Sequence, residues 1–242
     1  MKTAALIPAR LDSDRLPGKL MMDLGGLPII NRTYENILAT KLFDQVVVVT
    51  NSKLIYNSII KYGGNAFFSK KKHSCGTDRI AEYAIKSQHD IVLNVQGDEP
   101  FVEKESLKKI LQVFKKDEDK KIDLVSLMNK LNKKDFNNPN KVKVLIDDKH
   151  DAITFSRSME NLEKINNNVD AIYKHVGVYG FRMNSLRDFY YSEPSALEKK
   201  ESLEQMRYIE KEKTIRMIIT NYSGFGIDVM QDLIRARKKI NA

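Results

Sequence analysis

A single cysteine, Cys75, in 242 residues leaves no intramolecular disulfide framework and agrees with a reducing compartment. No apolar run approaches the length of a membrane span, and the run Ala4-Ala5-Leu6-Ile7 is far shorter than the core of a signal peptide. With 11 glycines and 6 prolines, the chain carries no Pro/Gly-rich linker, and it has no internal repeat or low-complexity tract. These absences predict a soluble, cytoplasmic protein with no membrane partner and a single domain over 1–242.

The residues that are present supply a core. An apolar fraction of 42%, with 10 Phe and 10 Tyr, excludes disorder as the default and suits one large α/β domain. The formal net charge of +9 raises the possibility of nucleic-acid binding. Its distribution argues against that reading. The lysines fall in short runs (Lys70-Lys71-Lys72, Lys115-Lys116, Lys120-Lys121, Lys238-Lys239) beside acids or at predicted helix ends, and no basic stretch is rich in aromatics. A solvated basic surface, suited to an anionic small substrate and to no nucleic acid, accounts for the charge.

Short apolar runs alternate with amphipathic stretches. Residues 3–7, 45–49, 65–68 and 91–95 read as buried strands, and the unbroken Val46-Val47-Val48-Val49 is typical of a parallel sheet covered on both faces. Residues 29–39, 52–62 and 77–86 have helical periodicity, with Asn51 and Ser52 as caps for the second. This alternation predicts an α/β fold with a doubly wound, mostly parallel sheet. Helix 103–115 and strand 123–128 continue it. Strands near 142–146, 152–156 and 172–181 then predict a smaller antiparallel extension. Helices at 184–190, 203–210 and 229–240 flank a strand at 214–220, and 159–170, with Asn166-Asn167-Asn168, reads as an exposed, mobile loop.

The first strand runs into Pro8-Ala9-Arg10-Leu11-Asp12-Ser13-Asp14-Arg15-Leu16-Pro17-Gly18-Lys19. In an open α/β sheet, ligands sit beyond the carboxyl ends of the strands, where this loop lies. Arg10, Arg15 and Lys19 could fold over a polyphosphate, the arginines as forked donors and the lysine as a compact charge, with small Ala9 and Gly18 admitting close approach. The spaced glycines of a Walker A loop are absent, and an ordinary basic surface loop is the competing reading. Asp98 in Val95-Gln96-Gly97-Asp98-Glu99-Pro100 ends a buried strand. It is either a turn former or a hard oxygen ligand for Mg²⁺. Asp228, after Gly224-Phe225-Gly226-Ile227, is either a helix cap or a second such ligand. Arg157 matches a carboxylate as well as it matches a surface ion pair. His175 and Tyr179, four apart on a strand, share one face.

These blocks, in order, resemble the cytidylyltransferases that activate acidic sugars, most closely the 3-deoxy-manno-octulosonate (Kdo) cytidylyltransferase family, the CMP-Kdo synthetases. The resemblance takes in the basic loop, His73-Ser74-Cys75-Gly76-Thr77-Asp78-Arg79, the Asp98 turn and Phe155-Ser156-Arg157. It continues through His175-Val176-Gly177-Val178-Tyr179-Gly180 and Leu203-Glu204-Gln205-Met206-Arg207 to Gly226-Ile227-Asp228, essentially the whole chain. It implies a nucleotide-diphospho-sugar transferase type of fold. About 1–130 and 205–242 would form the nucleotide-binding core, and about 131–204 an acceptor-binding and dimerisation subregion.

The resemblance also implies the roles. CTP lies on Pro8, Ala9, Arg10, Arg15, Lys19, Ser74, Cys75, Gly76 and Gln96, and Mg²⁺ on Asp98 and Asp228. Arg10, Lys19, Asp98 and Asp228 carry catalysis. Kdo lies on Arg157, His175, Tyr179, Glu204 and Gln205. The implied reaction is CMP transfer from CTP to Kdo for lipopolysaccharide synthesis, in a homodimer. An amino-substituted Kdo or a sialic acid is the alternative acceptor, and a nucleic-acid-binding module the non-enzyme alternative. The chain departs from the family at Cys75, at Ser158-Met159-Glu160-Asn161 and at Val229-Met230. No Cys–His arrangement suggests a nucleophilic thiol.

Overall fold

The computed structural model describes residues 1–240 apart from Asp14 and Asn167, so those two predicted loop positions lie outside the described residues. The chain forms two compact units, Met1–Leu107 with Gly224–Ala242, and Lys108–Ser223. No described helix is long and apolar enough to cross a membrane.

In the first unit, β1 (Thr3–Ala9) is followed by α1 (Ile29–Ala39), β2 (Gln45–Thr50), α2 (Lys53–Lys61), β3 (Ala66–Phe68), α3 (Gly76–Ala84) and β4 (Ile91–Asn94). The strands are parallel in the order β3-β2-β1-β4. All seven residues of β1 are buried, as the predicted two-sided cover requires. Ser52 caps α2 by accepting from Ile55 N, whereas Asn51 turns its Oδ1 to Arg79 Nη1 at 2.9 Å. Thr33 on α1 donates to Gly97 O at 2.8 Å and so fixes the turn beyond β4. Helix α4 (Lys104–Lys116) leads the chain out of this unit.

The second unit contains β5 (Leu124–Lys130), β6 (Lys143–Ile146), β7 (Ala152–Ser156), α5 (Met159–Glu163), β8 (Ile172–Arg182), α6 (Met183–Tyr190), α7 (Ala196–Glu201), α8 (Met206–Glu210) and β9 (Ile215–Ile219). Strand β5 is antiparallel to β8 and parallel to β9, and β6 is antiparallel to both β7 and β8. The predicted mobile loop is corrected here. Residues 159–163 form α5, and Met159 and Leu162 pack with Leu145 and Ile172 in a hydrophobic cluster. Two apolar residues three apart give one buried helical face, which outweighs the asparagine run that follows.

Two further corrections concern local structure. Helix α7 was missed, although Ser195 and Glu198 form a capping box at its start. The predicted helix from 203 begins only at Met206, with Glu204 and Gln205 in the preceding turn. After the second unit the chain returns to the first and ends in α9 (Met230–Ile240).

Candidate active site

In the first unit the chain moves from β1 outward to β2 and β3, then returns to set β4 on the other side of β1. Loops leaving the carboxyl ends of β1 and β4 therefore diverge and open a crevice at this switch point. The basic loop and the Asp98 turn both stand there.

Gly18 adopts φ 68°, the left-handed region open to glycine, and starts a 3-10 turn at Lys19–Met21. Its need for glycine is thus conformational. The turn delivers Lys19 between two carboxylates. Its Nζ is ion-paired with Asp98 Oδ2 and lies 3.0 Å from Asp228 Oδ1. Arg15 Nη2 reaches the same Asp228 oxygen at 2.8 Å from an exposed position. Burial alone would lower the pKa of the Lys19 ammonium. The charges and hydrogen bonds of Asp98 and Asp228 outweigh it and hold the group above its ordinary value.

Asp98 and Asp228 meet through bonds donated by the main chain before Asp228. Ile227 N donates to Asp98 O at 3.0 Å, and Phe225 N donates to Glu99 Oε2 at 3.0 Å. The start of α9 is served by the Asp232 carboxylate, which accepts from Asp228 N and Val229 N at 3.0 and 3.1 Å. Asp228 thus keeps its own carboxylate turned to Lys19. Gly97 is tight for a protein reason, since a Cβ there would stand 3.1 Å from both Pro8 O and Ile30 Cδ1. Its small size lets the turn after β4 press on the end of β1.

Two cavities share Pro8, Arg10 and Gln96. The larger, about 280 Å³, also takes in Arg15, Lys19, Asp98 and Asp228. The smaller, about 200 Å³, is lined further by Ala9, Ser74, Cys75, Gly76 and Arg79. Arg10 makes no hydrogen bond or ion pair within the described residues and borders both cavities, which leaves its guanidinium for a ligand. Cys75 caps α3, its Sγ accepting from Asp78 N at 3.4 Å. The role of a small N-cap, more often a hydroxyl's, is served here by sulfur. Arg79, buried at the wall of the smaller cavity, was not singled out from the sequence. Burial and the positive Arg10 nearby pull its guanidinium below its ordinary pKa.

Asp98 and Asp228 converge on one cationic point, as they would on a divalent ion. No group of three or more His, Cys, Asp or Glu able to hold a metal occurs among the described residues. Two carboxylates beside a cationic cleft fit Mg²⁺, which completes its shell with water and phosphate oxygens.

In the second unit His175, Tyr179 and Gln205 come together. The His175 and Tyr179 rings are 5.4 Å apart, and Tyr179 OH donates to Gln205 Oε1 at 3.3 Å. The Gln205 Nε2 is buried and makes no hydrogen bond within the described residues. Phe155 packs edge-on against His175 at 5.2 Å. Burial alone pushes the pKa of His175 down to about 3, so the ring is neutral. Arg157 is turned to main-chain carbonyls, Pro139 O at 3.0 Å and Glu201 O at 3.4 Å. Glu204 is half-buried in the turn before α8. That turn is anchored by Arg207, whose Nε and Nη2 fork onto Glu198 at 2.6 and 2.7 Å. Lys143, beneath the Arg157 carbonyl at 2.8 Å, is fully buried and gave no signal in the sequence beyond one more lysine.

Comparison with known proteins bears on both units. A family model described as cytidylyltransferase matches residues 4–215. The 3-deoxy-manno-octulosonate cytidylyltransferase of Flavobacterium johnsoniae is 50% identical over 238 residues, covering 98% of each chain. The protein of the same name from Christiangramia forsetii is 45% identical over 241 residues, 99% of this chain and 97% of its own. A solved CMP:2-keto-3-deoxy-manno-octonic acid synthetase in complex with CTP superposes with a TM-score of 0.89 at 32% identity, covering 100% of this chain and 99% of its own. Sequence identity at this level over the full length, on the α/β fold predicted, places the chain in the cytidylyltransferase family, among the 3-deoxy-manno-octulosonate cytidylyltransferases.

Proposed function

We propose that this protein transfers CMP from CTP to 3-deoxy-D-manno-octulosonate, giving CMP-Kdo and pyrophosphate. The observation that carries the reading is the convergence of Lys19, Asp98 and Asp228, with Arg10 and Arg15, at the switch point between β1 and β4. The 50% identical relative bears the name of this activity, and the solved neighbour is described with CTP.

The anomeric 2-hydroxyl oxygen of the sugar forms a bond to the α-phosphorus of CTP while the bond to pyrophosphate breaks, and the hydroxyl proton is released. Catalysis then rests on positioning and charge neutralisation. Arg10, Lys19 and Arg15 bind the phosphates and stabilise charge on the departing pyrophosphate. Ser74, Cys75 and Gly76 at the start of α3, with Ala9, Gln96 and Pro8, hold the nucleoside. Asp98 and Asp228 hold Mg²⁺, which when bound neutralises phosphate charge and lowers the pKa of the attacking hydroxyl. Arg157, His175, Tyr179, Glu204 and Gln205 bind the acid sugar. We place the protein in the cytoplasm, as a homodimer serving lipopolysaccharide synthesis.

The test is a pyrophosphate-release assay with CTP against ATP, GTP and UTP, using Kdo, its 8-amino analogue and a sialic acid as acceptors. Turnover with CTP and Kdo above every other pair is the expected outcome. Preference for another acceptor would move the substrate assignment, and turnover independent of Mg²⁺ would sink the metal assignment.

A further inference from the structure

Strands β5 and β8 pair with Tyr179 opposite Ser126 and Val176 opposite Leu127, so Gly177 and Val178 have no opposite number on β5. This bulge re-aims β8 locally and puts His175 and Tyr179 opposite Met128 and Ser126, two apart on β5. Ser126 Oγ lies 2.9 Å from Val178 O and 3.4 Å from Val176 O. The same oxygen lies 2.9 Å from His175 Nε2. Both Ser126 and Val178 are fully buried.

These distances assign the tautomer of His175. A carbonyl oxygen can only accept, so an oxygen–oxygen contact of 2.9 Å at Val178 needs a hydrogen between the two atoms. The serine hydroxyl has one hydrogen and supplies it. Its oxygen can then only accept from the ring, and Nε2 must carry the ring's hydrogen. The reverse arrangement would face two oxygen lone pairs across a sealed interior, where no water replaces the lost bond. Nδ1 is left as a lone pair, and it makes no hydrogen bond within the described residues.

We propose that Ser126 is a positioning residue that locks His175 as the neutral imidazole protonated on Nε2, so that Nδ1 accepts a hydrogen bond from a hydroxyl of the acid sugar and does not pair with its carboxylate. The substrate contact rests on the reading of His175, Tyr179 and Gln205 as acceptor site; the tautomer lock does not. A neutral acceptor atom reads a donor, so the site discriminates against an acceptor in which that hydroxyl is replaced by hydrogen. The carboxylate falls to a permanent cation, for which Arg157, at the end of β7 beyond β6, is the candidate.

The test uses full-length protein labelled with ¹⁵N-histidine, with long-range ¹H–¹⁵N spectra and the His175 signals identified by their loss in His175→Gln. Wild type should show Nε2 protonated and Nδ1 bare. In Ser126→Ala the two tautomers should mix, and KM for Kdo should rise about tenfold while KM for CTP holds within about twofold. A wild-type spectrum with Nδ1 protonated, or with both nitrogens protonated, overturns the lock, and this measurement needs no variant to fold. Tautomer mixing in Ser126→Ala with an unmoved KM for Kdo overturns the substrate contact. Absence of any turnover of CTP with Kdo by wild type overturns the functional reading instead, and the spectra still decide the lock.

Discussion

Lys19 holds together two aspartates that stand far apart in the chain, and its removal should expose how much the cleft depends on that bridge. In Lys19→Met, Asp98 and Asp228 lose their common cation, and on the proposed mechanism the leaving pyrophosphate would lose a donor. Pyrophosphate release should fall by at least about 100-fold in kcat/KM, the scale of losing one preorganised charge-stabilising group. Asp98→Asn and Asp228→Asn should fall by a similar factor, and near-wild-type turnover in either would remove the metal role from that residue. Cys75 gives the opposite expectation. Its Sγ caps α3, so Cys75→Ser keeps the acceptor for Asp78 N and should retain activity within about twofold. A loss of several orders of magnitude would restore a chemical role for the thiol. Arg10, Lys19 and Asp98 could be read as candidates from their residue types and spacing. Arg79 and Lys143 could not, because one buried cation looks like any other in a lysine-rich sequence, and only its surroundings mark it.

Elements place these side chains, and two of them make measurable commitments. The turn after β4 packs so closely on β1 that Gly97→Ala would set a methyl group 3.1 Å from Pro8 O and Ile30 Cδ1. The strain should cost about 1–3 kcal/mol in urea unfolding. It should also raise KM for CTP, because the adjacent Asp98 must shift with the turn. Wild-type values of both would show that the loops separate freely. Helix α5 replaces the predicted loop, and Leu162→Ala should cost about 2–5 kcal/mol through the cavity left in its cluster. A loss under about 0.5 kcal/mol would restore the mobile-loop reading. The strands and long helices were legible because period-2 and period-3.6 patterns reflect burial directly. Helices α5 and α7 span 5 and 6 residues, too few for a period to declare itself against Asn-rich or Lys-rich neighbours.

At the scale of the whole molecule, histidines wholly or partly buried set a pH limit on stability. Burial lowers the pKa of His73, His89 and His175, the last to about 3, from an ordinary value of 6.5. The unfolded chain therefore binds protons below about pH 6.5 that the folded chain does not. The stability these groups contribute is complete above that pH and is lost as pH falls, by at most about 1.4 kcal/mol per pH unit for each group. Urea midpoints between about pH 8 and pH 5 should decline on the acid side, and His175→Gln should flatten the decline. A midpoint that rises on acidification would contradict the neutral assignment.

The sequence by itself determined the α/β class, the strand–helix order of the first unit and the three cations after β1. These follow from hydrophobic period and residue chemistry, which are local properties of the chain. It also carried the family, through motif blocks spread over nearly all of its length. Tertiary structure decided the rest. Asp228 reaches Asp98 only because Ile227 N bonds Asp98 O and Phe225 N bonds Glu99, pairings between segments more than a hundred residues apart. The tautomer of His175 depends on a bulge in β8 and on the single hydrogen of Ser126. Neither is a property of any stretch of sequence, because each is set by which buried donor and acceptor are left to satisfy one another once the strands have paired.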